Sequence, residues 1–154
     1  SEIETLSTTN AAGTAAIRLT GNEFAQKIFG NAGNNVINGK GGADTLYGYG
    51  GKDVFVFNTP LGAGNIDRIA DFSVVDDTLQ LQNAIFTALT ATGTLAAAAF
   101  HTGAAAHDAS DRIIYNSGTG VLLYDADGTG VGAARQFATL ATGLALASAD
   151  FVVI

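Results

Sequence analysis

The sequence predicts an all-β fold. Short stacked strands form residues 21–57, and an antiparallel, β-sandwich-like part continues them. Three observations carry this reading. Gly21, Gly30, Gly39 and Gly48 recur at intervals of nine residues. A large apolar residue fills the eighth place of each nine-residue row: Ile28, Ile37, Leu46 and Phe55. Further on, the apolar runs DRIIYN and VLLYD flank Ser117-Gly118-Thr119-Gly120, a hairpin pattern within 111–125.

The elements follow in chain order. Residues 1–20 read as a lead-in or cap with no basic region and no long apolar core, so no classical signal peptide is expected. The chain begins at Ser1 without an initiator Met, which reads as a fragment or a processed product. The rows are GNEFAQKIF (21–29), GNAGNNVIN (30–38), GKGGADTLY (39–47) and GYGGKDVFV (48–56). Their fourth place is Gly in the last three rows (Gly33, Gly42, Gly51), and their sixth is Asn35, Asp44 and Asp53. Glycine opens backbone angles closed to other residues, so each row can turn tightly. One apolar residue per row gives a single inward anchor on a very short strand. Such a row cannot bury its apolar side alone, so rows must stack, aligning Ile28, Ile37, Leu46 and Phe55 as an interior column. Stacking brings carboxylates from like turns together among bare carbonyls. They repel unless a cation intervenes, and an all-oxygen site on flexible turns suits Ca²⁺.

These residues resemble the RTX nonapeptide repeat, G-G-x-G-x-D-x-U-x, of bacterial proteins exported by type I secretion. Rows 39–47 and 48–56 match at the first, fourth, sixth and eighth places, while Lys40 and Tyr49 stand where the second Gly is usual. Row 30–38 carries Asn35 for Asp, and row 21–29, with Phe24 and Gln26, looks like a degenerate cap. The resemblance implies a right-handed parallel β-roll over 21–57 whose turns fall on alternating edges, with Ca²⁺ between two turns of one edge. It places Asn35 and Asp53 about one ion, with carbonyls around Asn31, Gly33, Gly48 and Gly50. On the other edge it places Asp44, with carbonyls around Gly39, Lys40, Gly41 and Gly42. Two to three Ca²⁺ ions are implied.

Residues 54–57, VFVF, are expected to close the roll, and 58–154 to form a β-rich C-terminal part in one structural unit with it. The segment DRIADFSVVDDTLQL (67–81) resembles the stretch after the repeats in serralysin-type and lipase-type RTX proteins. There the first Asp caps the last Ca²⁺ site, which makes Asp67 the partner of Asp44. A simple turn cap is the alternative for Asp67, Asp71 suits either role, and Asp76 and Asp77 are expected in a solvated turn. LAAAAF (95–100) fits one helical turn. His101 and His107 match no metal-ligand spacing, so no zinc or catalytic role is expected of them. DADGTG (125–130) lacks the glycine and glutamate positions of an EF-hand. It reads as a polar hairpin turn, with a weak Ca²⁺ site from Asp125 and Asp127 as the alternative. RQFATL (135–140) is a further strand. The ending Asp150-Phe151-Val152-Val153-Ile154 resembles the C-terminal export signal of the metalloprotease branch of type I substrates, and also reads as a last strand.

Composition sets the outer bounds. With 154 residues, one domain is expected. The net charge is −7, with 11 Asp against 3 Glu and only 7 Lys plus Arg, which disfavours nucleic acid and anionic membranes as partners. No apolar run is long enough for a membrane-spanning helix, and the absence of Cys excludes disulfides and thiolate metal sites. No catalytic motif appears: no Ser elbow, no zinc motif, and no Walker A loop, since Gly41 and Asp53 follow the two Gly-Lys pairs. The chain is therefore expected to be no enzyme itself, any active site lying upstream of Ser1. The reading is a secreted, extracellular Ca²⁺-binding module that folds on the ion outside the cell. Its expected partners are a type I secretion exporter, through the C-terminus, and the upstream domain of the same polypeptide. The alternative is a carbohydrate- or surface-binding module of an extracellular polysaccharide-modifying enzyme or adhesin, with an extracellular glycan as ligand.

Overall fold

A computed structural model describes residues 4–154. Among the described residues, fourteen strands arrange into two sheets. Strands β1 (Thr5–Ser7), β3 (Lys27–Asn31), β5 (Thr45–Tyr49) and β7 (Asp67–Ile69) run parallel in one. Strands β2 (Arg18–Thr20), β4 (Val36–Asn38), β6 (Val54–Phe57) and β8 (Thr78–Leu81) run parallel in the other. Consecutive strands thus alternate between sheets, as a flattened coil requires. The nine-residue period is what makes them alternate, because each glycine turn hands the chain across to the opposite sheet. Same-sheet neighbours are eighteen residues apart in the repeats: Ile28 pairs with Leu46, and Ile37 with Phe55.

The period therefore yields two facing apolar columns instead of the single one expected. One runs Leu6, Ile28, Leu46, Ile69, and the other Leu19, Ile37, Phe55, Leu79. Ile28, Ile37, Phe55 and Leu79 are fully buried, and the two columns merge in one core. Burying each such side chain contributes about 1.5–3 kcal/mol.

The roll also exceeds the repeats at both ends. Strands β1 and β2 add a coil before residue 21, so the lead-in is itself a layer. Residues 54–57 do not close the roll, because β8 pairs in parallel beyond them. The final layer comes from far along the chain. Strand β13 (Arg135–Thr139) lies parallel to β7, and β14 (Phe151–Val153) parallel to β8.

The rest extends these sheets. Strands β11 (Ile113–Asn116) and β12 (Val121–Tyr124) form the expected hairpin, and β12 pairs antiparallel with β13. Strand β10 (Phe100–Thr102) is parallel to β11 at the sheet edge, and β9 (Gly93–Thr94) is antiparallel to β14. Short 3₁₀ turns at Ala97–Ala99 and Ser148–Asp150 are the only helical segments among the described residues. The C-terminal core is aromatic, with Phe86 edge-on to both Tyr124 and Phe137 at 5.1 Å. No helix is long and apolar enough to cross a membrane.

Candidate metal centre

The site is built from the sixth residue of each turn. Its side chain folds back over the first-place glycine, where any side chain would collide with it. A Cβ at Gly39 would meet Asp44 Oδ2, and one at Gly48 would meet Asp53 Oδ2. Glycine is needed there for space. At the fourth place it is needed for conformation: Gly42 and Gly51 adopt φ of 90° and 99°. The second place is left-handed too, but is held by Lys40 (φ 75°) and Tyr49 (φ 69°). A left-handed side-chain residue costs about 1–2 kcal/mol. Side chains hold both turns. Asn38 Oδ1 accepts the Lys40 N–H at 2.9 Å, and the Asp71 carboxylate accepts the N–H groups of Gly48 and Tyr49 at 3.0 and 2.9 Å.

The sixth-place side chains stack into two ladders, one per edge. On one edge the Gln26 N–H donates to Asp44 Oδ1 at 2.7 Å, and the Asp44 N–H donates to Asp67 Oδ1 at 3.0 Å. On the other, the Asn35 N–H donates to Asp53 Oδ1 at 2.7 Å, and the Asp53 N–H to Asp77 Oδ1 at 2.9 Å. Each carboxylate is thus pinned through one oxygen by the turn beneath it. The second oxygens of Asp44 and Asp53 are buried with no hydrogen-bond partner, as is Asn35 Oδ1. A buried unpartnered carboxylate oxygen costs several kcal/mol unless a proton or cation meets it. Burial accordingly pushes the Asp67 carboxyl up to about 7, and those of Asp44 and Asp77 up to about 6; Asp53 is raised by the same cause.

Asn35 shows what the cradle asks for. Its Nδ2 donates to the carbonyls of Asn31 (3.0 Å), Gly33 (2.5 Å) and Gly48 (3.3 Å), and to Asp53 Oδ1 (2.8 Å). Four oxygens converge on one amide nitrogen. The amide stands as the hydrogen-bond donor at the centre of this oxygen cradle. The donor set is all oxygen, on short turns, which is the preference of Ca²⁺.

The structure brings together Asn31, Gly33, Asn35, Gly48 and Asp53 on one edge, and Gly39, Asp44 and Asp67 with the neighbouring turn Lys40-Gly41-Gly42 on the other. One carbonyl position looks elsewhere: the Lys40 carbonyl accepts the Thr59 hydroxyl. Gly50 is exposed on its turn. Asp77 corrects the expected solvated turn. It is 6% exposed and ends the Asn35–Asp53 ladder, while Asp76 is exposed. A signal for it exists in the sequence. Asp44, Asp53, Asp67 and Asp77 each stand two residues before a core apolar residue: Leu46, Phe55, Ile69 and Leu79. Asp71 is the backbone cap of the Gly48–Tyr49 turn. Asp125 accepts the N–H groups of Asp127 and Gly128, as a polar turn between β12 and β13.

Residues 20–57 match the family of the RTX calcium-binding nonapeptide repeat, in four copies. This stretch is therefore similar to RTX calcium-binding repeats, which supports a calcium-binding module in this part of the chain. Residues 58–154 lie outside that match, and no curated protein matches the chain.

Proposed function

We propose that the roll is a calcium-dependent folding module of a secreted bacterial protein. The observation that carries this is the pair of buried carboxylate oxygens, Asp44 Oδ2 and Asp53 Oδ2, left without partners beside converging turn carbonyls. One Ca²⁺ would be held by Asn35 and Asp53, with Asn31, Gly33, Gly48 and Gly50 supplying carbonyls. A second would be held by Asp44 and Asp67, with carbonyls of Gly39, Gly41 and Gly42. Asp77 completes the first edge as Asp67 completes the second. Bound calcium supplies the positive charge that keeps these buried carboxylates ionised. The protein's part is to hold their oxygens in register and to exclude competing donors.

Two ions add +4, and a third would bring the total to +6, against a formal −7. Without them, buried acids repel and ordering twenty glycines opposes folding. Cytosolic calcium is scarce, so the chain stays threadable. Outside, at ion concentrations about a hundredfold above a site's Kd, each site adds about 2.7 kcal/mol to the folded state. The C-terminal residues 150–154 serve as the export signal read by a type I exporter, and the closed roll seeds folding of the domain upstream. Occurrence of RTX repeats in exported bacterial proteins supports this reading.

Circular dichroism in chelator and then in Ca²⁺ tests it. The expected result is a gain of β signal and a melting temperature that climbs with calcium concentration. An unchanged spectrum together with an unchanged melt would overturn it.

A further inference from the structure

One side-chain cluster lies outside the glycine turns, in the loop between β10 and β11. The chain leaves His101 on edge strand β10, and residues 103–111 fold back over it. The His107 ring comes to rest on the His101 ring, centroids 4.3 Å apart and planes 21° apart. Asp111, its side chain 2% exposed, sends Oδ2 to His107 Nδ1 at 2.7 Å. The same oxygen accepts the backbone N–H groups of His107 (2.7 Å) and Asp108 (3.1 Å). One ligand atom from each of His101, His107 and Asp111 lies within 4.8 Å of the other two.

A loop cap explains only part of this. Capping needs the Asp111 carboxylate and two backbone amides, and it uses neither imidazole. The His101 side chain makes no hydrogen bond among the described residues; its ring contact is with His107. Its place is nevertheless built. A Cβ on Gly103 would stand 2.5 Å from His101 Nε2, so the chain has a glycine where the ring passes. Both histidines of the protein are in this one cluster.

Two imidazole nitrogens and one carboxylate oxygen suit a borderline divalent ion, and suit Ca²⁺ poorly because it favours oxygen. Tetrahedral zinc-type geometry, with metal–ligand bonds near 2.0–2.2 Å, sets neighbouring donors about 3.3 Å apart. The ligand atoms of the three residues already lie within 4.8 Å of one another, close to that spacing. The backbone N–H groups of His107 and Asp108 on Asp111 Oδ2 fix the carboxylate, as second-shell contacts fix ligands elsewhere. His107 is 62% exposed on its side chain, so solvent reaches the fourth position.

We propose that His101, His107 and Asp111 form a second metal site, for a zinc-like divalent transition ion, chemically distinct from the calcium turns. Bound there, the ion clips the β10–β11 crossover and secures the edge of the larger sheet. The test is titration of Co²⁺ into the calcium-loaded 154-residue chain, followed by visible d–d absorption, with Zn²⁺ competing. One equivalent is expected to bind, and His101→Ala and His107→Ala are each expected to weaken it at least tenfold. Calcium-induced circular dichroism should be unchanged in both, which separates loss of the site from loss of the fold. Wild-type binding no tighter than that of the double variant would overturn the proposal. Should a variant not fold, wild-type NMR decides. Co²⁺ should broaden both imidazole resonances at one equivalent, and broadening of neither would equally overturn it.

Discussion

Asn35 is the residue on which the first edge turns. Its amide nitrogen donates to the carbonyls of Asn31, Gly33 and Gly48, the oxygens proposed to meet calcium. Asn35→Asp removes that donor and adds a charge. In chelator it should lower stability by about 1–3 kcal/mol, the cost of leaving buried acceptors unpaired. In calcium it should tighten the site by about tenfold, one further carboxylate being worth about 1.4 kcal/mol or more at this distance. Denaturation in chelator and calorimetric titration would show the two opposite signs; the same sign in both would contradict the proposed site. At this scale the sequence was highly legible for Asn35, Asp44 and Asp53, because the nine-residue period places them. It was less so for Asp77. Its partner Asp53 is 24 residues earlier, and an inserted loop breaks the spacing of 18 seen within the repeats.

At the scale of elements, the stacked strands rest on the two apolar columns. Phe55 sits at the centre of one, between Ile37 and Leu79, and touches Phe72 with ring centroids 6.1 Å apart. Phe55→Ala should cost about 3–5 kcal/mol, by lost burial and the cavity left behind. Chemical denaturation in saturating calcium measures it, and a loss under 1 kcal/mol would mean that the column does not carry the stack. The repeat strands were readable from glycine spacing and the eighth-place apolar residues. The sharing of those residues between two sheets follows from the same period, since each turn reverses the chain. The pairing of β13 with β7 was not readable. It joins Ala138 to Asp67 across 71 residues, and no local pattern encodes such a contact.

For the molecule as a whole, the acids set a pH dependence whose sign depends on calcium. Burial raises Asp67 to about 7 and Asp44 and Asp77 to about 6, from an ordinary 3.8. In chelator the folded form therefore holds protons that the unfolded chain has released. The stability these protons give is fully present below about pH 4 and is lost as pH rises through 6 to 7. Calcium competes for the same oxygens, so its stabilisation grows over that interval. Melting temperatures in chelator should fall between pH 4 and 7, and the gap between calcium and chelator should widen. A flat profile in chelator would show that the buried carboxyls ionise freely.

The place of strand β14 has a consequence for assembly. Strand β14 lies between β8 and β9; Phe151 is fully buried, Val153 nearly so, and Ile154 exchanges hydrogen bonds with Leu81 and Asn83. Residues 151–154 are thus a keystone, wedged between β8 and β9 and needed by the layer they close. With this segment held away from β8, Leu79 and Leu81 lose their β14 neighbours and the last coil of the roll stays open.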